Sequence, residues 1–302
     1  MKVIDNKALL LRLRDPRKVT EVIPKSKELS GNRVVVNWGV DEAHVLKNLN
    51  INAPSPIEGK YKWTGKYKPF EHQKTTAGFL TLNKRAFCFN EQGTGKTASA
   101  IWAADFLMKQ GRIKRALVIC PLSIMDSAWR EDLFSFAMHR KVDIAHGSAK
   151  KRTAVIESDA EFVVINYDGV AIVADAIANG GFDLVIVDEA THYKNAQTDR
   201  WKTLNRLLSP DTWLWMMTGT PAAQSPLDAY GLAKLVNPKA VPRFFGSFRD
   251  QVMYKVTNFK WVPKPEATEI VFGALQPAIR YTKEECLDLP DMVYTNREVP
   301  LT

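Results

Sequence analysis

The stretch RAFCFNEQGTGKT, residues 85–97, constrains the fold more than any other part of the chain. An apolar strand pattern, residues 86–89, runs into a glycine-containing loop and then directly into a helical pattern, TASAIWAADFLM. Gly93 and Gly95 let the backbone turn its N–H groups toward one anion without a Cβ penalty. The positive N-terminus of the following helix is offered to the same anion. The stretch therefore predicts a strand, a phosphate-binding loop and a helix.

The residue types in this loop indicate a nucleoside triphosphate and Mg²⁺ as ligands. Lys96 would reach the β- and γ-phosphates, and Thr97 would place its hydroxyl on the metal ion. The usual pattern G-x-x-x-x-G-K-[ST] begins with glycine, and here that position is Asn90. We expect seven consecutive residues to contact the nucleotide: Gln92, Gly93, Thr94, Gly95, Lys96, Thr97 and Ala98.

From Pro69 onward the chain alternates apolar strands with amphipathic helices. The strand patterns after the loop are RALVICP, VDIAHG, EFVVINY, FDLVIVDEA and TWLWMMTGTP. Continuous apolar strands joined by helices predict an α/β fold in which helices cover both faces of a parallel sheet.

The region before this alternation carries no recognisable chemistry. ALLLRLR and KVTEVI predict a hairpin around Asp15 and Pro16, NRVVVNW a further strand, and VDEAHVLKNLNI a short helix. Residues 53–69 are rich in Pro, Gly and Lys, which is typical of a linker. We expect three parts: a small β-rich accessory region at 1–66, an ATP-binding lobe at 67–240, and a helical, basic bridge at 241–302.

An acidic pair follows the apolar strand in FDLVIVDEATHYKN. Carboxylates at the carboxyl end of a parallel strand lie in the crevice where α/β sheets bind ligands. Asp188 would hold Mg²⁺, directly or through water, and Glu189 would orient and deprotonate an attacking water.

Two further motifs indicate function only in combination with the phosphate-binding loop and the acidic pair. Thr218, Gly219 and Thr220 follow the strand WLWMM, although alone they fit a plain turn equally well. Gln73, about twenty residues before the loop, offers the acceptor and donor that match the edge of adenine. By itself Gln73 is more typical of a solvent-facing helix residue.

The formal net charge of +9 favours a polyanionic partner. Lysines and arginines in 140–152 and 255–283 would give weak, salt-sensitive and non-specific contact with the phosphate backbone of such a partner. No apolar run approaches the length of a membrane span, and the first residues lack a signal-peptide core. We therefore expect no membrane partner and a cytoplasmic location.

As an ordered set, these motifs resemble the first motor lobe of superfamily-two helicases in their Swi/Snf-like branch. NEQGTGKT resembles the D-E-M-G-L-G-K-T of that branch, and VIVDEATHYKN resembles V-x-x-D-E-x-H-x-x-K-N. VICPLSIMDSAWREDL, VVINYDGV, MTGTPAAQSPLDAYGLAKLVNP and the tail IRYTKEECLDLPDMVYTNREVPL resemble further blocks in the family's order. The run PFEHQKTTAGFLTLNKRAF is most similar to phage-encoded members.

The resemblance implies a RecA-like lobe of a DNA-stimulated ATPase that moves along DNA. It implies that Gln73 reads the adenine of ATP, and that Thr218, Gly219 and Thr220 couple the nucleotide state to the DNA track. Ser123 and Trp129 would mark the block near the DNA backbone.

Two departures from the family pattern bear on function. Thr191 stands where the family usually has a histidine that links hydrolysis to the Thr218–Thr220 segment, and His192 is displaced by one position. The family's second lobe, with its arginine finger, would follow Leu301 or come from another chain. The alternative is a nucleotide-dependent DNA-binding or regulatory module without turnover of its own. An unrelated phosphate-loop kinase would leave the ordered blocks without a role.

Overall fold

The computed structural model describes residues 1–222, 224–257 and 260–286. The N-terminal part contains a four-stranded antiparallel sheet with the order β1-β2-β4-β3 and three short helices. Its elements are β1 (Lys2–Ile4), β2 (Ala8–Arg12), α1 (Arg17–Thr20), β3 (Lys27–Leu29), β4 (Arg33–Asn37), α2 (Val40–Asn48) and α3 (Ile57–Lys60).

Alternation of apolar residues along the strands gives this small sheet its own core. Leu9 and Leu11 of β2 and Val34 and Val36 of β4 are buried on one face, where they pack with helix residues such as Leu46. The predicted strand NRVVVNW and helix VDEAHVLKNLNI are therefore confirmed as β4 and α2.

The predicted hairpin around Asp15 and Pro16 is wrong. The segment after Pro16 forms the short helix α1, which buries Val19, and β2 pairs with β1 and β4 instead. Proline has a backbone angle suited to the start of a helix, and Pro16 has φ −61°.

The interpretation of residues 53–69 as a linker is also wrong for most of its length. Ala53, Ile57 and Tyr61 are buried against the rest of the protein. The Tyr61 hydroxyl donates a hydrogen bond to Oδ2 of Asp105 at 2.6 Å, which ties this segment to the larger sheet's helices.

The larger part is a seven-stranded sheet in which every pairing is parallel, with the order β13-β5-β10-β9-β6-β8-β7. Its strands are β5 (Arg85–Cys88), β6 (Ala116–Cys120), β7 (Val142–Ala145), β8 (Phe162–Asn166), β9 (Leu184–Asp188), β10 (Trp213–Met217) and β13 (Ala278–Ile279). Its helices are α4 (Glu71–Thr81), α5 (Lys96–Lys109), α6 (Glu131–Phe136), α7 (Ala149–Ile156), α8 (Tyr167–Ile172), α9 (Ala174–Asn179), α10 (Asp199–Leu207) and α11 (Asp228–Val236).

Two hydrophobic clusters lie on the two faces of this sheet, as the alternate residues of its strands show. Val185 and Val187 of β9 belong to one cluster, and Leu184 and Ile186 belong to the other. The predicted α/β class, a parallel sheet flanked by helices with a small β-rich N-terminal region, is confirmed.

The described C-terminal part contains α12 (Phe245–Val252), the hairpin β11 (Met253–Lys255) and β12 (Trp261–Pro263), α13 (Ala267–Ala274), β13 and α14 (Lys283–Cys286). Strand β13 pairs with β5, so it extends the large sheet. The three-part division of the chain stays a prediction. The tail IRYTKEECLDLPDMVYTNREVPL lies outside the described residues from position 287 onward. None of the described helices is long and apolar enough to cross a membrane.

Candidate active site

Strand register brings the predicted site together at the carboxyl edge of the sheet. Met217 of β10 lies between Cys88 of β5 and Asp188 of β9 in the two pairings. The loop after β5, the acidic pair after β9 and the threonines after β10 therefore start side by side.

Two glycines give the loop the conformation that the sequence predicted. Gly93 has φ +84° and Gly95 has φ +79°, a left-handed region that disfavours residues with a Cβ. A Cβ on Gly95 would overlap Nε2 of Gln73, so a larger residue here would displace that side-chain amide.

Side chains of α4 form hydrogen bonds to the phosphate-binding loop. His72 Nε2 lies 2.8 Å from the carbonyl oxygen of Thr94, and Gln73 Nε2 donates to the same oxygen at 3.2 Å. Asn90, which replaces the usual first glycine, is buried and donates from Nδ2 to Thr76 Oγ1 at 2.8 Å. Its Oδ1 has no hydrogen-bond partner among the described residues. Asn90 therefore anchors the loop, and glycine's conformational freedom is not used at this position.

The start of α5 has the features of an anion site. Gly95 caps the helix without any side-chain hydrogen bond, so the N–H groups of the first turn keep no capping partner. Lys96 follows at once, 9% exposed, and Thr97 is half-buried. Free N–H donors, a lysine, a threonine hydroxyl and the nearby Asp188 carboxylate form a donor set that fits a Mg²⁺-bound triphosphate.

Gln73 uses both ends of its amide in this structure. Its Oε1 accepts a hydrogen bond from the backbone N–H of Phe70 at 3.0 Å, while Nε2 bonds to the loop. The ring of His72, the preceding residue, stacks on Phe70 and lies 5.8 Å from the ring of Tyr281, centroid to centroid. The contact between Gln73 and adenine stays a prediction.

Asp188 is held from two sides. Trp129 donates from Nε1 to Oδ2 at 3.0 Å, and the N–H of Glu189 donates to Oδ1 at 3.1 Å. Burial raises the pKa of Asp188, while the Trp129 hydrogen bond and the positive charge of Lys96 oppose that rise. Two donors and a cation surround this 7% exposed carboxylate, and a bound divalent cation would add to the interactions that favour its charged form.

The position of Trp129 corrects its predicted contact with DNA. Its side chain is 0% exposed, because a π-helical turn, Met125–Arg130, directs the indole inward onto β9. A side chain without exposed surface cannot contact a DNA backbone. Ser123, in the preceding turn, is exposed, and its DNA contact stays a prediction.

Glu189 adopts a backbone conformation that is rare for a residue with a side chain, φ +52° and ψ +59°. The hydroxyl of Thr218 donates to Glu189 Oε2 at 3.3 Å, and the N–H of Thr220 donates to that hydroxyl oxygen at 3.2 Å. A Cβ on Gly219 would lie 3.6 Å from the N atom of Gln92. The predicted coupling segment therefore contacts the acidic pair and lies beside the phosphate-binding loop.

His192, displaced by one position from the family's usual histidine, lies against the residue that follows β8. The ring of His192 packs on Tyr167 with centroids 4.4 Å apart, and Arg200 lies 3.4 Å from its Nδ1. Tyr167 in turn donates to the carbonyl oxygen of Asp188. Thr191 lines a cavity together with His192 and Thr220.

The sequence interpretation missed one segment of the site. After β13 the chain runs along the loop: Glu91 N–H donates to the Tyr281 carbonyl at 2.9 Å, and Lys283 N–H donates to Glu91 Oε2 at 3.0 Å. Arg280 has a guanidinium nitrogen 4.0 Å from Glu91 Oε1, and Lys283 Cε would lie 3.5 Å from a Cβ on Gly93. This segment brings two cations to the edge of the nucleotide site.

Comparison with known proteins agrees with this architecture. The sequence profile of the SNF2-related domain matches residues 72–301. Protein p41 of Acyrthosiphon pisum secondary endosymbiont phage 1 is 27% identical over 181 residues, which cover 57% of this chain and 39% of the relative. An uncharacterized ATP-dependent helicase of Mycoplasma genitalium is 27% identical over 220 residues, which cover 70% of this chain and 20% of the relative.

A solved structure shares the fold. The SWI2/SNF2 ATPase core of Sulfolobus solfataricus, solved in complex with double-stranded DNA, aligns with a TM-score of 0.60 and 23% identity over 73% of this chain and 46% of that chain. The chain spans less than half the length of each of these three proteins. Because the family profile matches well over half of the sequence, the chain belongs to the SNF2-related domain family.

Proposed function

We propose that the chain is the ATP-binding lobe of a DNA-dependent ATPase that couples ATP hydrolysis to movement along DNA. The observation that carries this proposal is the hydrogen bond from Thr218 to Glu189 beside the phosphate-binding loop. It connects the residue suited to activate water with the segment that, by family resemblance, leads to the DNA track.

Each residue at the carboxyl edge then has a defined task. The N–H groups at the start of α5 and Lys96 bind the β- and γ-phosphates, and Gln73 reads the adenine. Thr97 and Asp188 hold Mg²⁺, which when bound neutralises charge on the phosphates. Glu189 orients the attacking water and accepts its proton.

Full turnover requires a second RecA-like lobe, in cis or in trans, that brings an arginine to the γ-phosphate. Such a residue contributes about 10³–10⁵ in rate, or roughly 4–7 kcal/mol of barrier. DNA is the proposed track, bound non-specifically through its backbone. Two observations support it: the net charge of +9, and the DNA-bound Sulfolobus solfataricus core that shares the fold.

The test is ATP hydrolysis by this chain, alone and mixed with a chain that carries the second lobe, each with and without duplex DNA. We expect near-background hydrolysis alone and DNA-stimulated turnover with the second lobe. Glu189→Gln is the matched control, because it keeps the side chain's shape and should bind Mg·ATP without turnover. Bound Mg·ATP that is never hydrolysed in any mixture would instead favour the nucleotide-dependent regulatory module.

A further inference from the structure

More than half of the chain's net charge lies in its first 33 residues. They hold nine lysines and arginines against four acids, a net +5 of the total +9, and they precede the family match at residue 72. None of the nine cations lies within ion-pair distance of a carboxylate in the described part of the chain. This charge is therefore not used to stabilise the fold through ion pairs.

Strand register places four of these cations on one face of the small sheet. Leu9 and Leu11 point into the core, so the alternate residues of β2 face the other way. The register there joins Lys2, Leu10, Val35 and Lys27 in one row and Arg12, Arg33 and Leu29 in the next. These seven residues are called the outer face below.

The outer face contains an unfavourable pair. Arg12 and Arg33 are direct cross-strand partners, and like charges in that arrangement are destabilising. The Arg33 guanidinium donates to Ser30, through its carbonyl oxygen at 2.9 Å and its hydroxyl at 3.4 Å, and no acid among the described residues pairs with it to offset the repulsion. A bound polyanion would neutralise both arginines.

We propose that the outer face binds the sugar–phosphate backbone of duplex DNA, as a second DNA contact outside the ATPase lobe. Lys2 and Lys27 lie three strand spacings apart, about 14 Å, which is close to the ~12 Å width of the major groove between its phosphate rows. The outer face contains no aromatic side chain, so it lacks the stacking platform with which proteins hold single strands. The inference rests on the proposed function only in taking DNA as the ligand.

The test measures binding of a labelled random-sequence duplex to the full chain across a salt series. The variant Lys2→Gln/Arg12→Gln/Lys27→Gln/Arg33→Gln should bind at least tenfold more weakly at low salt. The slope of log affinity against log salt should become shallower by roughly 2–4, about 0.9 for each phosphate that the variant no longer neutralises. Binding of a single strand of equal length should change less.

A control variant removes the same charges elsewhere, at four exposed positions: Lys114→Gln/Arg206→Gln/Lys239→Gln/Arg243→Gln. It should retain the wild-type affinity and salt slope for the duplex. An unfolding midpoint no lower than that of the wild type and an unchanged Mg·ATP affinity, in both variants, would show that the fold and the ATP site are intact. The outer-face variant loses the Arg12–Arg33 repulsion, so its midpoint should not fall.

Equal duplex binding by the wild type and the outer-face variant would overturn the inference. So would equal losses in the outer-face and control variants, or binding to anionic phosphatidylserine vesicles in place of duplex DNA. None of these outcomes decides the proposed function, which is tested by ATP turnover with the second lobe.

Discussion

Trp129 donates a hydrogen bond from its indole Nε1 to Oδ2 of Asp188 at 3.0 Å, and both side chains are buried. The other carboxylate oxygen accepts the N–H of Glu189. These two donors fix the rotation of the carboxylate, so a metal ion would meet it in one orientation. Trp129 is thereby a positioning residue for Asp188, the proposed metal ligand, and its buried side chain has no surface to offer to DNA.

Replacing Trp129 with phenylalanine tests this orienting role. Trp129→Phe keeps an aromatic ring but removes the N–H, so we expect Mg²⁺-dependent ATP affinity to fall roughly tenfold, about 1.4 kcal/mol. ATP affinity without Mg²⁺ should change little. Calorimetric titration with and without Mg²⁺ measures both quantities.

Trp102→Phe is the matched control for that change. It removes an equivalent indole N–H, which donates to the carbonyl oxygen of Thr64 at 2.8 Å. This hydrogen bond does not involve the acidic pair. Equal losses in the two variants would assign Trp129 to packing alone.

The fit of Gly95 beneath Gln73 gives a second prediction. Gly95→Ala places a Cβ at φ +79° and displaces the Gln73 amide from its bonds to the backbone. We expect loss of ATP binding and a fall of about 1–3 kcal/mol in the free energy of unfolding, measured with urea.

Gly111→Ala separates the two causes of that destabilisation. Gly111 has φ +66° with open space around its Cβ position, so it carries only the backbone cost of about 1–2 kcal/mol. In a Gln73→Ala background the excess cost of Gly95→Ala should disappear. An unchanged excess would mean that Gln73 is not the group displaced.

The cation beside the loop gives a third prediction. Lys283→Ala should weaken ATP binding about tenfold, because its side chain lies over Gly93 where the phosphates would approach. Lys283→Arg should retain most of the affinity. Lys84 lies before β5, at the edge of the sheet opposite the loop, so Lys84→Ala should leave the ATP affinity unchanged. Equal affinity in the wild type and Lys283→Ala would exclude Lys283 from the site.

Sequence patterns predicted the features that depend on residues close together in the sequence. The apolar runs predicted the strands β5, β6, β8, β9 and β10, and the loop and acidic pair lie where their strands end. The small hairpin was predicted wrongly because Pro16 can begin a helix as well as occupy a turn. The role of Trp129 depends on one π-helical turn that shifts the helical register, which a 3.6-residue periodicity does not reveal.

Contacts between distant segments could not be predicted in the same way. Lys283 reaches Glu91 across 192 positions, through a strand of two residues that has no recognisable pattern. Tyr61 was predicted to lie in a linker because its neighbours include glycine, lysine and proline, yet its hydroxyl reaches Asp105. Its fit depends on the shape of α5, which composition does not describe.

The Asp105 network predicts acid sensitivity. Asp105 is 0% exposed and accepts hydrogen bonds from Tyr61, His139, Arg140 and Lys109. Burial raises the pKa of Asp105, but these hydrogen bonds outweigh burial and bring it to about 2. Since this pKa lies below the unfolded value of about 3.9, the stability from Asp105 is complete above pH ~4. It is lost as the pH falls from about 4 to about 2.

Asp105→Asn should therefore lower the free energy of unfolding by about 3 kcal/mol at neutral pH and flatten its pH dependence below pH ~4. Urea unfolding between pH 2 and 7 measures both effects. Asp211→Asn, which removes an exposed partner of Lys84, should cost less than ~1 kcal/mol. Parallel pH profiles for the wild type and Asp105→Asn would contradict this assignment of the acid sensitivity.

The phosphate-binding loop, on which the proposed function depends, is tested by a calorimetric titration of Mg·ATP into the chain and into Lys96→Ala. We expect saturable binding of one ATP per wild-type chain. Lys96→Ala, with an unchanged unfolding midpoint, should not bind Mg·ATP, because the lysine charge at the start of α5 is removed. Equal Mg·ATP affinity in the two proteins would contradict the assignment of the phosphate-binding loop.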